Sequence, residues 1–123
     1  MPSNVRVIKP SDFLRADPDG QVDLPAALQL LQRLAAAAAA LDEYEVLIDI
    51  RHTIGRLRTD ELQQMAAALA GFEDTFQRKT AVLCPPDRFE NGHLFSLLAA
   101  QQGFGRVRAF LDYETAMEWL LGT

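Results

Sequence analysis

The chain has 123 residues, 49% of them hydrophobic and 24% charged, with a formal net charge of −5. That size buries most of an apolar surface without disulfides or metal, so one domain spanning 1–123 is expected. The negative balance gives duplex nucleic acid and anionic membrane no overall attraction, and the lone Cys84 excludes an internal disulfide framework and fits a reducing cytoplasm. Met1 to Pro10 is too short and mixed for a signal peptide. The longest apolar run, Leu34 to Leu41, falls far short of the roughly 20 residues that cross a bilayer, so no transmembrane segment is expected.

Asn4 to Lys9 alternates as a first strand and is stopped by Pro10, which cannot donate to a ladder. After Phe13-Leu-Arg-Ala, the stretch Asp17-Pro-Asp-Gly20 has type I turn residues in their preferred order, which predicts a small hairpin onto Gln21-Val22. Asp23 is placed to cap a helix with Pro25 in its first turn. Leu24, Leu28, Leu31, Leu34 or Ala35, Ala38 and Leu41 form its apolar stripe. The six alanines Ala35 to Ala40 favour helix and close packing on a sheet, with a homodimer seam as the alternative.

Glu45 to Arg51 holds a short apolar run, Val46, Leu47, Ile48 and Ile50, around Asp49. Bounded by polar residues, it predicts a central strand buried on both faces. The loop that follows carries Gly55 among Arg51, Arg56 and Arg58. Thr59 or Asp60 is expected to cap a second helix with Leu62, Met65, Leu69 and Phe72 inward and Gly71 left-handed at its end. Arg78 or Lys79 to Cys84 is another buried strand, halted by Pro85-Pro86. A third helix then bears Leu94, Phe95, Leu97 and Leu98 and ends at Gly103. Arg106 to Leu111 alternates like a strand near a sheet edge, and Asp112 caps a last helix with Tyr113, Ala116, Met117 and Leu120 inward and Trp119 to one side. The β-α-β-α-β-α order from residue 45 predicts an α/β fold: a mostly parallel sheet of four or five strands flanked by about four helices.

The stretches Val46-Leu-Ile-Asp-Ile-Arg51, Thr59-Asp-Glu-Leu62 and Phe76-Gln-Arg-Lys-Thr-Ala-Val-Leu83 resemble the SpoIIAA-like group of STAS domains. So do Gln102-Gly-Phe-Gly-Arg-Val-Arg-Ala-Phe110 and Ala116-Met-Glu-Trp-Leu120. The resemblance implies a non-enzymatic module that binds a protein partner, and its CRAL-TRIO-like relatives imply an apolar small molecule as the alternative. Regulatory members carry an Asp-Ser-Ser/Thr-Gly sequence with a phosphorylated hydroxyl. Here Leu57-Arg-Thr-Asp60 leaves only Thr59 as a phosphorylation candidate, without the Asp and Gly around it.

Ends of parallel strands are where ligands and partners meet such sheets. Arg51, His52, Arg56 and Arg58 are therefore the candidate docking patch for an acidic partner or headgroup, as guanidinium forks suit carboxylates and phosphates. A carrier would instead place a closed apolar cavity near Leu62, Met65, Leu94 and Leu98. Thr59 at a helix start is otherwise an N-cap. Cys84 with His52 or His93 has the residue types of a thiol–base pair, but a strand cysteine is more often core. Asp49 lies where a receiver domain holds its phosphoacceptor, yet the other acidic residues and the Lys of that site are missing; a hydrogen-bonded structural carboxylate is expected. No cofactor, metal site or catalytic residue is indicated.

Overall fold

The computed structural model describes residues 5–8 and 13–122, with residues 6–8 as backbone only. In chain order the strands and helices are β1 (Val5–Ile8), β2 (Phe13–Ala16), β3 (Gly20–Gln21), α1 (Leu24–Ala38), β4 (Glu45–Asp49), β5 (Thr53–Ile54), α2 (Thr59–Ala68), α3 (Glu73–Phe76), β6 (Thr80–Leu83), α4 (Phe89–Gln101), β7 (Val107–Phe110) and α5 (Tyr113–Leu121). Single 3-10 turns, Leu69–Phe72 and Pro86–Arg88, precede α3 and α4. The main sheet has five strands in the order β1-β2-β4-β6-β7, and only β1 is antiparallel to its neighbour. The predicted central strand is the middle one, and the strand after Arg106 is the far edge.

Successive residues of β4 face opposite sides, and both sides are covered. Val46 and Ile48 pack with Leu14, Ala16, Val82 and Cys84 beneath α1, α2 and α4. Leu47 packs with Phe13, Ala81, Leu83 and Phe110 beneath Ala116 and Leu120 of α5, with Trp119 and Met117 alongside. Asp23 and Asp112 cap α1 and α5 as expected, accepting from Ala26 and Thr115 N–H at 2.8 Å each. Gly103, at φ +94°, closes α4, and the Phe104 N–H returns to the Ala99 carbonyl.

Five expectations are corrected, the first being Tyr113, which opens α5 39% exposed rather than inward. Asp17-Pro-Asp-Gly20 closes no hairpin: β1 and β4 already occupy both edges of β2, so β3 leaves to pair parallel with β5 in a separate two-stranded sheet. Gly71 is not left-handed, because α2 tightens into a right-handed 3-10 turn that runs on into α3. Leu97 is 51% exposed, since α4 lies on the sheet through Gly92, Phe95 and Ala99 and position 97 faces away. On α1 the buried face is Ala27, Leu30, Leu31, Leu34 and Ala38, leaving Leu24 and Leu28 half-buried.

The seat of α4 depends on Gly92. A Cβ there would stand 2.5 Å from Cys84 Sγ and 3.4 Å from the Ala109 methyl. Gly92→Ala should therefore cost about 1–3 kcal/mol by overpacking, read as a lowered denaturant midpoint. Gly71→Ala, where no atom lies within 4 Å of the new methyl, is the control and should leave that midpoint unchanged or raise it.

Candidate functional site

The carboxyl end of β4 emerges with different chemistry on its two faces. On the α5 face Asp49 is wholly buried between two arginines. Arg51 donates to it through Nε (3.0 Å), Nη2 (2.9 Å) and its backbone N–H (3.0 Å), and Arg15 donates through Nη2 (3.0 Å). Arg15 also grips Asp17 at 3.0 Å and lies over the Tyr113 ring. Burial pushes the Asp49 carboxyl up, but the hydrogen bonds and charges of Arg51 and Arg15 outweigh it and hold the group below the usual aspartate value. Asp49 is thus the hydrogen-bonded carboxylate the sequence led us to expect.

On the other face Ile48 and Ile50 run toward the loop before α2. That loop is tied to the segment between β6 and α4. Arg88 is only 5% exposed and donates from Nη1 to the Thr53 hydroxyl and from Nη2 to the Thr53 carbonyl, both at 2.6 Å. The Thr53 hydroxyl in turn donates to the Ile50 carbonyl at 2.7 Å. Asn91 Nδ2 reaches the Leu57 carbonyl at 3.0 Å, and Arg56 Nη2 reaches the Asp87 carbonyl at 2.8 Å. Gly55, at φ +89°, makes the bend, and the Gln21 side-chain amide fills the space a Cβ would need.

Beneath this tied loop lies an apolar cavity of about 110 Å³. Its floor is Ile48, Ile50 and Val82, and its walls are Ala27, Leu30 and Leu31 of α1, Leu62 and Met65 of α2, and Phe95 and Gly92 of α4. Thr53, Gly55, Arg56, Leu57, Arg88 and Asn91 close the loop end. Arg56 is the exposed member of this lining, which puts the rim there. Of the expected carrier residues, Leu62 and Met65 line the cavity; Leu94 and Leu98 pack elsewhere on the core.

Arg51, His52, Arg56 and Arg58 are all exposed, and Ile54 beside them is 67% exposed. Their forks, however, have intramolecular partners: Arg51 holds Asp49, Arg56 the Asp87 carbonyl, and Arg58 the Asp60 carboxylate at 3.0 and 3.1 Å. Neither Thr59 nor Asp60 caps α2. Thr59 is its first residue and exposed, and Glu61 reaches back to the Arg58 N–H at 2.9 Å, since a helix starting at Thr59 puts Arg58 in the capping position. Cys84 is buried and its thiol donates to the Val82 carbonyl at 3.6 Å. Burial pushes that thiol up to about 11, whereas His52 and His93 are exposed, His93 against the Phe89 ring. Among the described residues no group of three or more His, Cys, Asp or Glu is arranged to hold a metal, and no helix is long and apolar enough to cross a membrane. Arg88 was missed from sequence, and the cavity was expected only in part, through Leu62 and Met65; the Pro85-Pro86 corner before Arg88 gives no signal of where its side chain ends.

No protein-family model matches the chain, and no curated protein matches it. Among solved structures it is similar to an uncharacterized protein of the DUF3478 family from Shewanella loihica PV-4, described as having a SpoIIAA-like fold. The two share 16% identity with a TM-score of 0.62, over 97% of this chain and 92% of that one. At this identity the likeness shows the fold: the chain has the SpoIIAA-like fold that its motifs resemble.

A carboxyl held low by arginines stabilises the fold fully above the ordinary aspartate value of 3.8 and loses that effect as pH falls through the lowered value. Asp49→Asn should cost about 3 kcal/mol at neutral pH, because it leaves Arg15 and Arg51 without their buried counter-charge. Urea melts from pH 7 to pH 2 should also show a shallower acid decline for the variant. Equal slopes would mean that Asp49 is not held low.

Proposed function

We propose that the chain is a non-enzymatic binding module that holds a small apolar ligand beneath residues 50–57, at the carboxyl ends of β4 and β6. The cavity carries this reading. Protein interiors are packed like organic crystals, so an apolar recess of about 110 Å³ between the sheet and three helices is a departure from close packing that a small ligand would fill. The volume favours a small molecule over a long acyl chain, since pockets for larger ligands run to about 300–1,000 Å³. The polar lining, Thr53, Arg56, Arg88 and Asn91, offers hydrogen bonds and positive charge but no carboxyl, thiol or imidazole for proton transfer. A binding role follows more naturally than a catalytic one.

The second reading is protein docking at the 51–60 edge, and Ile54 favours it. A large side chain this exposed, set among Arg51, His52, Arg56 and Arg58, has the apolar-plus-arginine make-up of interface centres. Because the forks are engaged internally, the contact would rest on Ile54 and the shape of the loop more than on free guanidinium groups.

One experiment separates the two: native mass spectrometry of protein purified from its source cells, for the parent, Ala27→Leu and Ile54→Asp. Ala27→Leu fills the cavity and should lose a bound small molecule seen in the parent, keeping any protein partner. Ile54→Asp should melt like the parent, as exposed substitutions stay within about 0.5 kcal/mol, and should lose the partner alone. A parent free of small molecules would count against the pocket reading, and a partner kept by Ile54→Asp against the docking one.

A further inference from the structure

We propose that the pocket takes a short aliphatic carboxylate, its chain among the α1 and α2 side chains and its head group against Arg88; this rests on the pocket reading above. The first observation is a buried positive charge whose hydrogen bonds go to neutral acceptors and whose ion-pair partner faces water. The Arg88 bonds both go to Thr53, a hydroxyl and a carbonyl, and both acceptors are neutral. Its ion-pair partner, Asp87, stands 3.9 Å from Nε with a side chain 73% exposed to water. Buried charges are ordinarily matched by opposite charge and hydrogen bonds, and Thr53 takes only two of the five N–H groups of a guanidinium.

The second observation is the placement of the few polar groups in an otherwise apolar lining. Thr53, Arg56, Arg88 and Asn91 of the two tied loops supply them at the loop end, and apolar side chains such as Leu30, Leu31 and Leu62 form the rest. A carboxylate fits the polar end because it pairs with a planar fork through two parallel hydrogen bonds. Arg56 at the rim adds a second positive charge within the same lining. Size sets the tail. An apolar cavity of about 150 Å³ takes benzene, so about 110 Å³ accommodates a chain of about four carbons beyond the head group.

The test compares pentanoate, pentanol and pentylamine by calorimetric titration of the full chain. An uncharged apolar pocket favours the alcohol, since burying an unmatched carboxylate is costly. Arg88 should reverse that order, with pentanoate binding about tenfold tighter than pentanol or better and pentylamine weakest. Pentanol binding as tightly as pentanoate would overturn the carboxylate assignment and leave the apolar pocket standing. No binding by any of the three would overturn both. Ala27→Leu should abolish pentanoate binding, and undiminished binding there would place the site elsewhere and overturn the proposal. Arg88→Met, where a thermal melt shows it folded, should prefer pentanol, and a retained preference for pentanoate would overturn it. If that variant does not fold, the order of the three probes on the parent protein decides.

Discussion

A buried guanidinium bonded to a threonine ties together the loops at the carboxyl end of the sheet. Arg88 reaches from the 3-10 turn after β6 to both oxygens of Thr53, and Thr53 reaches on to Ile50. The loop after β4 is therefore bound across the top of the sheet to the start of α4. That fixes β5 where it can pair with β3, and it places Gly55 under Gln21 and Leu57 over the cavity. Without the clamp, residues 50–57 would be a connection from a strand to a helix. With it, they roof an apolar space. A buried charge is an expensive clamp unless something answers it, and so the same residue that organises the loop also suggests what the space receives.

The two faces of β4 divide the chemistry. Strand parity sends Leu47 and Asp49 to the α5 side and Val46, Ile48 and Ile50 to the other. At the carboxyl end this puts an ionic network, Arg15, Asp17, Asp49 and Arg51, back to back with an apolar pocket. The network closes the α5 face with bonds satisfied inside the molecule. The pocket face is closed by polar groups of two loops. One strand end thus carries an ionic network on one side and an apolar cavity on the other within the thickness of a sheet, and the SpoIIAA-like fold supplies the crossover connections that bring both loops there.

Much of the fold was legible because it is written in local signals. The run Val46 to Ile50 between polar residues marks the central strand, Asp23 and Asp112 are caps whose partners lie three residues away, and Gly103 with Phe104 closes α4 on itself. What was not legible depends on pairings distant in sequence. The turn at Asp17 to Gly20 has hairpin residues, but the edges of β2 were already taken by strands whose pairing with it no local rule reveals. The arginines of the 51–58 loop were visible as charge, and Asp49 and Asp60 stand two residues from the arginines that hold them, but the reach of Arg56 to the Asp87 carbonyl, 31 residues on, needs the folded loop. Arg88 carried no signal at all. A cation after Pro-Pro-Asp is ordinarily solvated, and its bonds to Thr53, 35 residues away, exist only in the folded chain.

The central claim is that the space between the sheet and α1, α2 and α4 is a receptive pocket, and xenon tests it most directly, being apolar and indifferent to head-group chemistry. In methyl-resolved NMR spectra under xenon pressure, the account predicts saturable shifts at the methyls of Leu31, Ile48, Leu62 and Val82, which line the cavity, and none at Leu47, Leu83 or Leu120 across the sheet. Shifts confined to the α5 face, or no saturable shift anywhere, would contradict it.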